Sequence, residues 1–203
     1  LTPSGVIYLD LNIIVFNQPK KHSQKNGSKK FNQFKTETNM REETKYIVVH
    51  CSQTRPSQDI GAKDIDRWHR ERGWLKIGYG KVIKRDGTIE QGRGDDDVQA
   101  HVKGYNHCSY GLCLVGGAEE EDWKKPQDNF TSEQWEALKK ELENLLVKYP
   151  DAQIVGHYML DEAKTCPNFN VREYLLNEDI KNYKFQDGLT DDADLQELEH
   201  NDD

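Results

Sequence analysis

Apolar residues in this chain come in short runs separated by polar stretches, and the runs alternate between strand and helix periods. Tyr46 to His50 (YIVVH) is a β-branched run of the kind that forms a strand buried on both faces, and it delivers His50 to the sheet edge, where active sites are built. From Ala62 the period changes: Ile65, Trp68 and Arg72 fall at helical spacing, and Gly73 supplies a stop. Tyr79 to Lys84 and Thr88 to Gln91 flank Asp86-Gly87, a dipeptide favoured at a two-residue hairpin because Gly accepts positive φ and Asp tolerates it. Tyr110 to Val115, closed by Gly116 and Gly117, reads as a further buried strand with Cys113 in the core.

Thr131 and Gln134 make a capping box, with Phe130 and Trp135 at the two ends of a hydrophobic staple. The stripe Trp135, Leu138, Leu142, Leu145 and Leu146 then carries a helix down to Lys148, and Pro150 ends it. Ile154 and Val155 form a short strand leading into His157, and Asn170 to Leu176 a last helix. Strands and helices alternate, so the expected class is α/β, a central mixed β-sheet flanked by helices.

Composition changes this picture at the two ends. Only 34% of residues are hydrophobic and 32% are charged, so the apolar residues must be concentrated where the chain folds. Residues 1–44 are almost wholly polar and basic after Phe16, a composition that cannot bury enough surface to order itself, and are expected to be a disordered extension. The folded domain is expected over residues 45–178. Residues 179–203 form an acidic tail, which supplies most of the net charge of −8. With no clustered Lys and Arg in the body, a nucleic-acid groove is excluded. No run reaches the roughly 18 apolar residues of a membrane span, and no signal peptide is legible. Cys51, Cys108, Cys113 and Cys166 match no CxxC spacing and suit a reducing compartment.

The chemistry lies in His50 and His157, each at a strand end, and in Cys166, nine residues after His157 in a loop that also holds Asp161, Lys164 and Pro167. Two imidazoles and a thiolate suit zinc, and three protein ligands leave a fourth position open, as catalytic sites require. By spacing alone the motif is weak, since half-buried histidines and a core thiol are the commoner explanation.

The segments VVHCS from Val48, GWL from Gly73, Gly78-Tyr79, IKRDGT from Ile83, Gly92-Arg93, AHVKGYN from Ala100 and GLCLVGG from Gly111 together settle on one resemblance. The chain closely resembles the T-odd phage lysozymes of the N-acetylmuramoyl-L-alanine amidase type 2 family, related in fold to the peptidoglycan recognition proteins. The match runs over about residues 45 to 176. The resemblance implies hydrolysis of the bond between N-acetylmuramic acid and L-alanine in peptidoglycan, with His50, His157 and Cys166 as Zn2+ ligands and Tyr79 and Lys164 as the catalytic pair. It implies His101 as a residue lining the substrate cleft. It also implies a phage endolysin, made in the host cytoplasm as a monomer and acting on the wall after release. Two further readings come with it: a module that binds peptidoglycan without cutting it, and a surface that restrains a phage RNA polymerase.

Two departures from the family pattern stand out. After Tyr79 the family usually continues with His and an aromatic residue, whereas Gly80 and Lys81 follow here, and the loop from His157 to Lys164 is one residue longer. Gly80 is expected to remove packing beside Tyr79 and to add backbone freedom. His69 on the first helix reads as a surface or packing residue. Cys51, on the opposite face of its strand from His50, reads as a core thiol.

Overall fold

The structure, a computed structural model, describes residues 40–184. The expectations for residues 1–39 and 185–203 lie outside the described residues. Strand β1 (Tyr46–Cys51) lies between two parallel neighbours, β4 (Ser109–Leu114) and β5 (Gln153–Gly156). Beyond β4 come β2 (Lys81–Ile83), parallel to it, and β3 (Ile89–Gln91), antiparallel to β2, so the order is β3-β2-β4-β1-β5. This is the mixed sheet expected. Because β1 is paired at both edges and covered on both faces, every residue from Ile47 to Cys51 is buried, which is why the run is apolar without alternation.

Helix α1 (Ala62–Glu71) lies on one face, where Ile65 packs with Val82, Cys113 and Val115. Helices α2 (Ser132–Lys148) and α4 (Val171–Asn177) lie on the other, where Leu138, Leu142, Leu145, Leu146, Val171 and Leu175 cover Ile47, Val49 and Leu112. Burying each large aliphatic side chain contributes about 1.5–3 kcal/mol. Alternation along β1 sends Ile47 and Val49 to the α2 face and Val48, with Val102 and Val155, to the opposite one. His50 follows Val48 onto that opposite face.

The start of α2 forms as its residues dictate. Gln134 N donates to Thr131 Oγ1 at 3.1 Å and Thr131 N to Gln134 Oε1 at 3.2 Å, and the Phe130 and Trp135 rings meet edge to face at 5.4 Å. Trp135 also packs on Phe169 and Tyr174, which ties the loop before α4 to α2. The β2–β3 hairpin forms with three loop residues rather than two. Lys84 N donates to Thr88 O and Gly87 N to Lys84 O, both at 2.9 Å. Only Gly87 takes a positive φ, +80°, whereas a two-residue type I′ turn needs one at both central residues. Asp86 instead turns its carboxylate back to accept from Thr88 N.

One further expectation is corrected. His157 does not end a strand; β5 stops at Gly156, and His157 opens the single helical turn α3 (His157–Leu160). Ahead of β1, the Arg41 guanidinium donates to the carbonyls of Asp95 (2.7 Å) and Asp97 (3.0 Å) and lies over the Tyr110 and Tyr149 rings. After α4, Ile180 is buried and Tyr183 packs on the core beneath α2 and α4. No helix among the described residues is long and apolar enough to cross a membrane.

Gly80 and Lys81 are compensated. A Cβ at Gly80 would lie 2.5 Å from both Gln99 Nε2 and the Tyr110 ring, so the space a side chain would fill is already taken. Lys81 reaches across to the carboxylate of Glu141 on α2, which is almost fully buried. Lys81→Met should leave that carboxylate without its cation and cost roughly 3 kcal/mol, as breaking a buried pair does. Replacing both partners with Lys81→Met and Glu141→Leu should recover most of the loss in urea unfolding. A single variant as stable as the parent would show that the pair contributes nothing.

Candidate metal centre

His50, at 1% exposure, is held rigidly near the end of β1, opposite Cys113 of β4 in the sheet register. His157 stands at the first position of α3, beside the end of β5. Cys166 comes back to both because the segment between them closes on itself: Tyr158 N donates to Cys166 O at 3.0 Å, Asp161 N to His157 O at 3.1 Å and Lys164 N to Asp161 O at 2.9 Å.

One donor atom from each of His50, His157 and Cys166 lies within 4.8 Å of the others. Cys166 Sγ is 3.7 Å from His50 Nδ1, and the two imidazole rings are 4.6 Å apart between centroids. Zn–S and Zn–N bonds of ordinary length at a tetrahedral angle place S and N about 3.6 Å apart, so the three residues fit that metal. Burial, followed by the neighbouring His101 and His157, holds the His50 imidazole well below its usual pKa, and burial, against the charge of Asp161, lowers that of His157. Both rings therefore stay neutral, the state in which imidazole ligates.

Cys51 is buried as expected, yet it is not only a core thiol. Its backbone N–H donates to Cys166 Sγ at 3.2 Å. Asn168 Nδ2 donates to Cys51 Sγ, to Gln53 Oε1 and to Gly117 O, which pins the loop carrying Cys166 against the end of β1.

Tyr79 stands just before β2 with its ring 5.1 Å from that of His50, and burial pushes its hydroxyl well above the usual phenol range. Its backbone is held from two sides. Arg93 N donates to Tyr79 O at 2.9 Å while the Arg93 guanidinium donates to Ile77 O, and Gly78 N donates to His69 Nδ1 at 2.9 Å. Lys164 lies in the exposed turn before Cys166 and forms no ion pair among the described residues. Its charge is near enough to His157 to help lower that residue's pKa. His101 is tucked behind His50, with His50 Nε2 at 2.9 Å from its Nδ1 and Ser109 Oγ at 3.2 Å from its Nε2.

A family model described as N-acetylmuramoyl-L-alanine amidase matches residues 40–169. The chain belongs to the N-acetylmuramoyl-L-alanine amidase family. It is 46% identical over 134 residues to the endolysin of Escherichia phage T7, an alignment that covers 66% of this chain and 87% of that protein. Among solved structures, the N-acetylmuramoyl-L-alanine amidase LysC from Clostridium intestinale URNW superposes with a TM-score of 0.58 at 27% identity, over 71% of this chain and 89% of that one. Drosophila PGRP-LB shares the fold, with a TM-score of 0.54 at 23% identity over 71% and 86% of the two chains. The protein is thus an amidase by family, with peptidoglycan as its substrate, and it carries a His-His-Cys cluster able to hold a metal.

The structure brings His50, His157, Cys166, Tyr79 and His101 of this amidase together. Residues to which the sequence assigned no part in the site hold them there: Asn168 behind Cys166, Ser109 behind His101 and His69, read as a surface or packing residue, behind Tyr79. His69 faces inward, its ring tilted against that of Trp74 at 4.5 Å between centroids, because its own helix carries it under the Tyr79 loop. Burial first, then the charges of Arg72 and Arg93 against that of Asp66, lowers its pKa to about 4. An unfolded histidine binds its proton at about 6.5. Between those values the unfolded chain holds more protons than the folded one, so stability should fall as the pH drops from about 6.5 to about 4. His69→Gln should flatten that part of the pH dependence in urea unfolding. An unchanged slope would show that His69 is not held neutral by the fold.

Proposed function

We propose that this amidase is a zinc-dependent phage endolysin that cleaves the amide between the lactyl group of N-acetylmuramic acid and the first L-alanine of the stem peptide. The observation that carries the reading is the trio His50, His157 and Cys166, two neutral imidazoles and a thiol at zinc-ligand separations with no fourth protein donor among the described residues. Such a set suits a catalytic centre rather than a closed structural one. When bound there, zinc supplies hydroxide near neutral pH and polarises the scissile carbonyl. The endolysin role is supported by the likeness to the T7 endolysin. The non-cutting alternative is disfavoured by Cys166, since a binding module has no need of the thiol or of the hydrogen bonds that aim it.

The chain's own residues have separable tasks. Tyr79, whose buried hydroxyl keeps its proton at neutral pH, donates a hydrogen bond to the attacking water and is too weak an acid to serve as the base. Lys164 brings a fixed positive charge to the developing oxyanion without ligating the metal. Cys51 N–H, pointing at Cys166 Sγ, stabilises the thiolate form that ligation requires.

Elemental analysis of the purified protein should find close to one zinc per chain, and His50→Ala or Cys166→Ala should lose metal and activity together. Less than about a tenth of an equivalent after reconstitution, against the one site that three ligands define, would overturn the reading. Lys164→Ala should keep its zinc and its melting temperature while turnover on soluble muropeptide drops by about 100 to 1000-fold, the usual loss when one oxyanion donor is removed. Turnover within about threefold of the parent, or less than roughly 1 kcal/mol of transition-state stabilisation, would assign the lysine no part in the chemistry.

A further inference from the structure

His50 turns Nδ1 toward Cys166 Sγ, so the neutral ring that ligates through Nδ1 must carry its proton on Nε2. What decides this tautomer lies behind the ring. His50 Nε2 is 2.9 Å from His101 Nδ1, His101 Nε2 is 3.2 Å from Ser109 Oγ, and Ser109 Oγ is 2.7 Å from the carbonyl oxygen of Tyr105. A carbonyl only accepts. Ser109 therefore donates to it and accepts from His101 Nε2–H, which leaves His101 Nδ1 bare to accept from His50 Nε2–H. The direction of every bond follows from the last acceptor, and the lone pair of His50 emerges on the metal side.

The geometry points to His101 as a positioning residue that sets the tautomer and ring angle of His50, through a chain polarised by the Tyr105 carbonyl, rather than as a substrate contact. The inference rests on the zinc reading above. Both ring nitrogens of His101 are engaged, so neither remains to bind substrate. The ring also has no freedom to swing out. Its backbone N–H and that of Val102 both donate to Asn106 Oδ1, at 2.8 and 2.9 Å. On the other side it lies so close over Gly111 that a Cβ there would be 2.7 Å from its Cγ. A strand glycine at that point is explained by the ring it admits. A partner behind a metal-bound histidine orients the ring and raises its basicity.

The test is the zinc affinity of the full chain, measured by competition with a chromophoric chelator, for the parent, His101→Leu, His101→Gln and Ser109→Ala. Loss of such a partner typically weakens metal binding by about 10 to 100-fold, and that is the result expected for His101→Leu. His101→Gln, whose Oε1 can still accept from His50 Nε2–H, should recover part of it, and Ser109→Ala should show a smaller loss. At saturating zinc the KM for soluble muropeptide should stay near the parent's. A substrate contact predicts the reverse, an unchanged zinc affinity and a raised KM, and that outcome overturns the inference. Nitrogen-15 NMR of the zinc-loaded parent gives a reading that needs no variant. His101 is expected as the Nε2–H tautomer with Nδ1 unprotonated, and a proton on Nδ1 would overturn the inference even if His101→Leu failed to fold. A parent that binds no zinc at all would instead overturn the zinc reading, so the two failures are distinguishable.

Discussion

Everything at the site depends on the parallel pairing of β1 with β4 on one side and β5 on the other. A strand paired at both edges and covered on both faces has no freedom to shift register, since a slip of one residue would exchange its two buried faces. His50 inherits that rigidity, and so does Ser109, the first residue of β4, which stands behind it at one remove. The same pairing brings the end of β5 alongside β1, so that the chain leaving β5 needs only one helical turn and a closed loop to return Cys166 to His50.

Burial is the second constraint, and it acts on charge. His50, His69, His101 and His157 all sit where desolvation disfavours the imidazolium, so the histidines around the site are kept neutral by the fold and not by any base beside them. A neutral imidazole has one donor and one acceptor nitrogen, which gives each ring a direction. Around His50 those directions run away from the metal position and end on a backbone carbonyl; around His69 the free lone pair receives the amide of Gly78 and fixes the approach of Tyr79. The loops that carry Tyr79 and Cys166 are thus anchored from behind by polar contacts, while both side chains approach His50.

The two departures from the family pattern show how such a site tolerates change. The space above Gly80 belongs to Tyr110 and Gln99, and Lys81 is drawn off to Glu141 on α2, so neither position leaves a gap. The segment after His157 is closed by hydrogen bonds of its own, from Tyr158 to Cys166 and from Lys164 to Asp161. Asn168 holds its far end against the end of β1.

What the sequence determined by itself was the set of elements with a local cause. The β-branched run of β1, the capping box and staple at Thr131, the leucine stripe of α2 and the stop at Gly73 each follow from neighbours within a few residues. The motifs from Val48 to Gly117 named the family and, with it, the residues that meet at the site. Tertiary structure alone decided the rest. That His69 faces inward, that His101 has both nitrogens occupied, that Arg41 belongs to the body and that Cys51 borders Cys166 all depend on partners 9 to 115 residues away. No periodicity along the chain encodes such contacts. They arise when the sheet closes, because a buried polar atom must then find its partner wherever the fold has placed one.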